Sequence, residues 1–151
     1  MNVNTIRMNF RLGLLVLVAG FLCVPVCAED ACFEARLIWG TNDPETKDPD
    51  LKECDPKLVE RLKKIFKWNH YHKVNAMEFC VPQGGSKRIA LSEKCEISVR
   101  DLKQPMVEVK LYGEGKLVKR ITQAAIKCLV IAGDDKNDTA WFVILTPVTP
   151  K

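Results

Sequence analysis

The chain has 151 residues, with 23 Lys and Arg against 19 Asp and Glu for a formal net charge of +4. That length is one domain's worth, enough to bury a core without metal or disulfides. The small, scattered positive balance excludes the concentrated basic face that nucleic-acid binding needs.

Residues 1–28 read as a secretory leader. Arg7 and Arg11 form a basic start, "LGLLVLVAGFLCV" from Leu12 to Val24 is unbroken apolar sequence, and Val26-Cys27-Ala28 supplies the small residues of a cleavage site. The apolar run falls short of the ~20 residues that cross a bilayer. The expected mature chain is therefore a single secreted β-rich domain, residues 29–151, with no transmembrane span. Setting aside Arg7 and Arg11 leaves it 21 basic against 19 acidic residues, a net of +2.

"CFEARLIWGT" alternates Phe33, Ala35, Leu37 and Trp39 against Glu34 and Arg36, the period of a half-buried strand. "NDPETKDPDLKECDP" follows as a loop stiffened by Asp-Pro pairs. Asp55-Pro56 then has the cap and first-turn residues of a helix. Leu58, Val59, Leu62, Ile65 and Phe66 make its apolar stripe, and the pattern predicts a helix over about 56–68. Its basic face, Lys57, Arg61, Lys63, Lys64 and Lys67, reads as solvated.

From His70 onward the period is two. "HKVNAMEFCVP", "KRIAL", "CEISVRDL", "MVEVKLY" and "KLVKRIT" read as strands, with "QGGS" and "GEG" as turns. "KCLVIAG" and "AWFVILTPV" are nearly all apolar, which predicts central strands covered on both faces. The expected fold class is α+β, mainly β: an antiparallel β-sandwich or small open barrel of about seven or eight strands, with one amphipathic helix after the first strand.

The leader, "LIWGTND", the acidic Asp-Pro loop, "LKKIFKW" and the closing "VIAGDDKNDTAWFVILTP" together resemble a group of uncharacterised small secreted bacterial proteins. The resemblance covers nearly the whole mature chain. It implies a bacterial source and a periplasmic or extracellular address, and it carries no activity, cofactor or catalytic residue.

Five cysteines follow the leader: Cys32, Cys54, Cys80, Cys95 and Cys128. An oxidising compartment permits disulfides, and an odd count leaves at least one thiol. Cys32 with Cys54 is the expected pair, tying the first strand to the loop before the helix. No C-x-x-C exists, which argues against a zinc ribbon or a thioredoxin-type motif.

Three constellations could carry chemistry. "GDDKND" offers the oxygen ligands Asp134, Asp135, Asn137 and Asp138, but in an EF-hand register Ala140 takes the glycine position and Thr146 the closing acid. A hairpin turn accounts for the same residues. His70 and His72 are a more specific pair, because residues two apart on a strand share a face and make half of a transition-metal site. Glu78 or Cys80 could complete it if that face continues. Trp39, Trp68 and Trp141 could line a groove, although their apolar settings favour the core.

The expected role is a non-catalytic binding or structural module of the bacterial periplasm or envelope. Its partner would be an envelope protein or polymer, and no cofactor is implied. One alternative is a small secreted hydrolytic or metal-dependent enzyme using His70 and His72. Another is an inhibitor or toxin-like factor presenting a disulfide-clamped Asp-Pro loop.

Overall fold

The computed structural model describes residues 29–45, 48–103, 105–134 and 138–149. The expected leader, residues 1–28, lies outside them, as do residues 135–137 of the acidic turn. In chain order the elements are β1 (Ala31–Thr41), β2 (Lys52–Glu53), α1 (Pro56–Lys63), β3 (His70–Val81), β4 (Ser86–Ala90), β5 (Cys95–Asp101), β6 (Met106–Gly113), β7 (Lys116–Ala124), β8 (Leu129–Asp134) and β9 (Ala140–Pro147). A five-stranded sheet in the order β2-β3-β1-β9-β8 faces a four-stranded sheet in the order β4-β5-β6-β7. All pairs are antiparallel. The mainly-β sandwich with one short helix is thus the architecture the alternation predicts. The added strand is the two-residue β2 inside the Asp-Pro loop.

Strand alternation builds the core directly. Phe33, Ala35 and Leu37 of β1, Val143 and Leu145 of β9, and Phe79 and Val81 of β3 point inward. They meet Ile97 and Val99 of β5 and Val107, Val109 and Leu111 of β6. A second cluster lies on the outer face of the five-stranded sheet, where Ile38, Tyr71, Phe142 and Ile144 are covered by Leu62 and Trp68. β9 is therefore buried on both faces, as its unbroken apolar run requires. β8 does not follow that expectation. It is an edge strand that turns Leu129 and Ile131 inward and leaves Val130 38 % exposed.

The helix starts as read: the Asp55 carboxylate accepts from the Lys57 N–H at 2.9 Å, and Pro56 occupies the first turn. It ends at Lys63 instead of running to 68. The Leu62 carbonyl accepts from both Ile65 N–H at 3.0 Å and Phe66 N–H at 2.8 Å, which tightens the last turn. Tertiary packing overrides the periodicity here. Phe66 and Trp68 both contact the Phe142 ring, with centroids 4.7 and 5.8 Å away. Two helical positions two apart point to nearly opposite sides and could not both do so. Ile65, expected in the stripe, is left 69 % exposed. Gly40 admits this aromatic cluster, because a Cβ there would lie 2.8 Å from Phe142 Cε2.

Two β-bulges interrupt the registers. Leu37 faces Asn75 while Ile38 faces Lys73, so Val74 is an extra residue in β3. Leu111 faces Lys119 while Tyr112 faces Leu117, so Val118 is extra in β7. An added residue inverts the alternation. Phe79 and Tyr71 are both odd-numbered, yet Phe79 enters the sandwich and Tyr71 enters the outer cluster.

The disulfide differs from the expected one. Cys32 is bonded to Cys80, its direct cross-strand partner, and Cys54 is a buried thiol. Spacing could not show this, because the pairing depends on β3 lying beside β1. Non-reducing peptide mapping should recover Cys32 joined to Cys80, with Cys54, Cys95 and Cys128 as thiols. Replacing both bonded cysteines by Ala should lower the unfolding free energy by about 2–4 kcal/mol in denaturant titrations, since the bond closes a long loop.

Candidate functional site

One cross-strand row crosses all five strands: Glu53 pairs with His72, His72 with Trp39, Trp39 with Trp141, and Trp141 with Gly133. Residues directly opposite in a sheet share a face. Trp39 follows Phe33, Ala35 and Leu37 on β1, so this row lies on the inward face, beyond Leu37 at one end of the sandwich.

At that end the sheets part to leave an open cleft. One lobe, about 420 Å³, is lined by Leu37 and Trp141 on one side and by Ser92, Cys95, Glu114 and Val118 on the other. The adjoining lobe, about 620 Å³, is lined by Trp39, Trp141, Asp48, Leu51 and Val74. Leu37, Lys94 and Trp141 belong to both. Each bulged valine thus lines one lobe. Bulges bend a strand and gather beside functional sites.

The Trp141 indole is held by the backbone beneath it. A Cβ on Gly133 would lie 2.1 Å from Trp141 Cζ2, so the Trp141 ring packs directly against the glycine. Trp39 leans the other way, its centroid 6.0 Å from the His72 ring. Trp39 and Trp141 are half-buried, whereas Trp68 is 6 % exposed and donates its indole N–H to the Asp138 carbonyl at 3.2 Å. The expectation of core tryptophans therefore fits Trp68 fully and Trp141 in part, since Trp141 packs against the main core while lining the cleft. Tyr112 also lines the smaller lobe, and its ring stacks under the Arg88 guanidinium at 4.2 Å.

The histidines lie at the edge where β2 meets β3 and α1, beside a cavity of about 550 Å³. Its lining includes Glu53, Cys54, Glu60, His70, Tyr71 and His72. His70 and His72 do share a strand face. The Val74 bulge then ends that face: Glu78 and Cys80 pair with Glu34 and Cys32 on the opposite side and cannot complete a site. Among the described residues, no group of three His, Cys, Asp or Glu is gathered to hold a metal ion.

Burial at this edge works against an activated thiol. Burial pushes the Cys54 thiol up to about 11, against the pull of Lys73 and Arg36. An activated cysteine needs the reverse shift. Burial likewise pushes Cys95 up to about 11, with Glu96 adding to it. Because Cys54 is not bonded to Cys32, the Asp-Pro loop lacks the clamp that an inhibitor-like reading assumed.

Of the acidic turn, Asp135 and Asn137 lie outside the described residues. β8 and β9 pair on either side of it up to Asp134 and Ala140, the geometry of a hairpin. The Asp138 carboxylate accepts from Lys67 at 3.0 Å, tying the turn to the end of the helix segment.

Comparison with protein-family models, with curated proteins and with solved structures finds no match. The class that the geometry defines is a two-sheet antiparallel sandwich with an open, tryptophan-flanked cleft at one end.

His72 Nε2 is buried and makes no hydrogen bond among the described residues. Burial lowers its pKa from 6.5, His70 lowers it further, and Glu53 opposes the shift. As pH falls below 6.5 the unfolded chain protonates this imidazole before the folded chain does. The unfolded state then binds more protons, so stability falls on acidification. Thermal melts from about pH 7 to about pH 5 should show a falling midpoint, with a smaller fall in His72→Gln.

Proposed function

We propose that the protein is an exported, non-catalytic binding module of a bacterial envelope or periplasm, and that the cleft at the end of the sandwich receives its ligand. The observation that carries this reading is the pairing of Trp39 with Trp141 on an inward-facing row that opens to solvent. Ligand sites are typically concave and mainly apolar, with a few polar groups at the rim. This cleft has that composition, with Lys94, Ser92, Asp48 and Glu114 around aromatic and aliphatic walls. The two bulges that line it support the same assignment.

Export is supported by the leader pattern in residues 1–28 and by the Cys32–Cys80 disulfide, a bond that persists in oxidising compartments. Among the described residues, no helix is long and apolar enough to cross a membrane. Immobilised protein should retain material from a bacterial envelope extract. Trp39→Ala with Trp141→Ala should reduce that retention at least about tenfold, the scale of losing buried aromatic contacts. Equal retention by a double variant with an unchanged circular dichroism spectrum would place binding elsewhere.

The cavity beside His70 and His72 favours one second reading, a small metal-dependent or hydrolytic enzyme. Dialysis against zinc or copper followed by metal analysis tests it. The binding-module reading expects less than one ion per chain, unchanged by replacing both histidines with Ala. A stoichiometric ion lost in that variant would favour the enzyme.

A further inference from the structure

We propose that the ligand of the cleft is a glycan chain of β-linked pyranoses, an inference that rests on the cleft being the binding site. Trp39 and Trp141 start from directly paired positions but lean apart, one toward β3 and the other across Gly133 on β8. They therefore offer two separate ring faces instead of one stacked pair. From β3 to β8 the row covers three strand spacings, or about 14 Å. That length suits a run of ring-shaped units better than a single small molecule.

The face of an indole carries the negative end of its quadrupole and attracts C–H edges. A pyranose with equatorial substituents presents axial C–H groups on both faces and hydroxyls around its perimeter. The cleft matches that division. Its walls are Leu37, Trp39, Trp141 and the bulged Val74 and Val118, while its rim carries Asp48, Ser92, Lys94 and Glu114.

Charge narrows the class further. Lys94 and Glu114 face each other at 3.8 Å, both largely exposed, and Asp48 is a second carboxylate. Among the described residues this rim carries one cation and two acids, which supply no excess of positive charge to select a phosphate or carboxylate head group. It can donate to and accept from neutral hydroxyls. The joined lobes run from Val118 of β7 to Val74 of β3 as an open groove, so an acyl chain would lie partly in water, whereas a sugar polymer tolerates that exposure.

The test is calorimetric titration of the purified protein with chitohexaose, cellohexaose and α-linked maltohexaose, with tryptophan emission followed in parallel. The apolar dye anilinonaphthalene sulfonate serves as a separate probe of the cleft. At least one β-linked hexasaccharide should bind and shift the emission, while maltohexaose binds at least tenfold more weakly. Trp39→Ala should weaken binding tenfold or more, Trp141→Phe and Glu114→Gln should weaken it several-fold, and Trp68→Phe should leave the affinity unchanged. Dye binding that is lost in Trp39→Ala, with no response to either β-linked sugar, would keep the cleft as a ligand site and overturn the glycan. Silence toward both probes would overturn the glycan and the cleft together. Sugar binding unaffected by Trp39→Ala would overturn the placement.

Discussion

Phe142 and Val143 are neighbours in sequence and face opposite cores, and the rest of the molecule is arranged around that fact. A strand hydrogen-bonded on both sides and covered on both faces leaves no position for a charged side chain, which is why "AWFVILTP" contains none. Its inward residues need a second sheet opposite them. Its outward residues need another cover, and the short helix with Phe66 and Trp68 supplies it. Removing the Phe142 ring would open a void among Phe66, Trp68 and Tyr71, beneath the helix segment. Large-to-small changes at such sites typically cost about 3–5 kcal/mol.

Much of this was legible because local pattern and tertiary role agree. Phe33, Ala35 and Leu37 alternate in sequence and are buried together; Asp55-Pro56 reads as a helix start and is one. Where the reading failed, the deciding contact was distant. Cys80 joins Cys32 because β3 returns beside β1 across 48 residues, and no spacing rule encodes that return. The helix stops early because Phe142, far along the chain, draws Phe66 and Trp68 to itself. β8 looked central because apolar content does not distinguish an inner strand from an edge strand with one covered face. The cleft tryptophans looked like core for the same reason: alternation gives the face of the sheet, but not how far the opposing sheet extends over it. Their positions near strand ends, Trp39 two residues before the end of β1 and Trp141 one after the start of β9, were the available signal.

The two candidate sites use the same row of the sheet in different ways. Toward β2 the row carries Glu53 and His72 on an edge, where the bulge has turned Glu78 and Cys80 to the far side. Toward β8 it carries the Trp141 ring seated on the Gly133 backbone, with polar groups brought in from the opposing sheet. The first arrangement leaves an imidazole pair incomplete. The second leaves fixed surfaces that need no titrating group to act, which suits recognition better than turnover.

Val74 is the unpaired residue of the β3 bulge, and it lines the groove. Removing it would let Lys73 adjoin Asn75 in plain alternation, with Tyr71 still opposite Gly40 and His72 still opposite Trp39, so the two faces would survive and only the local bend would be lost. Exchanging it for another β-branched or polar residue would leave both faces as they are. What the extra residue supplies is therefore local: a kink in the strand and one apolar side chain at the groove.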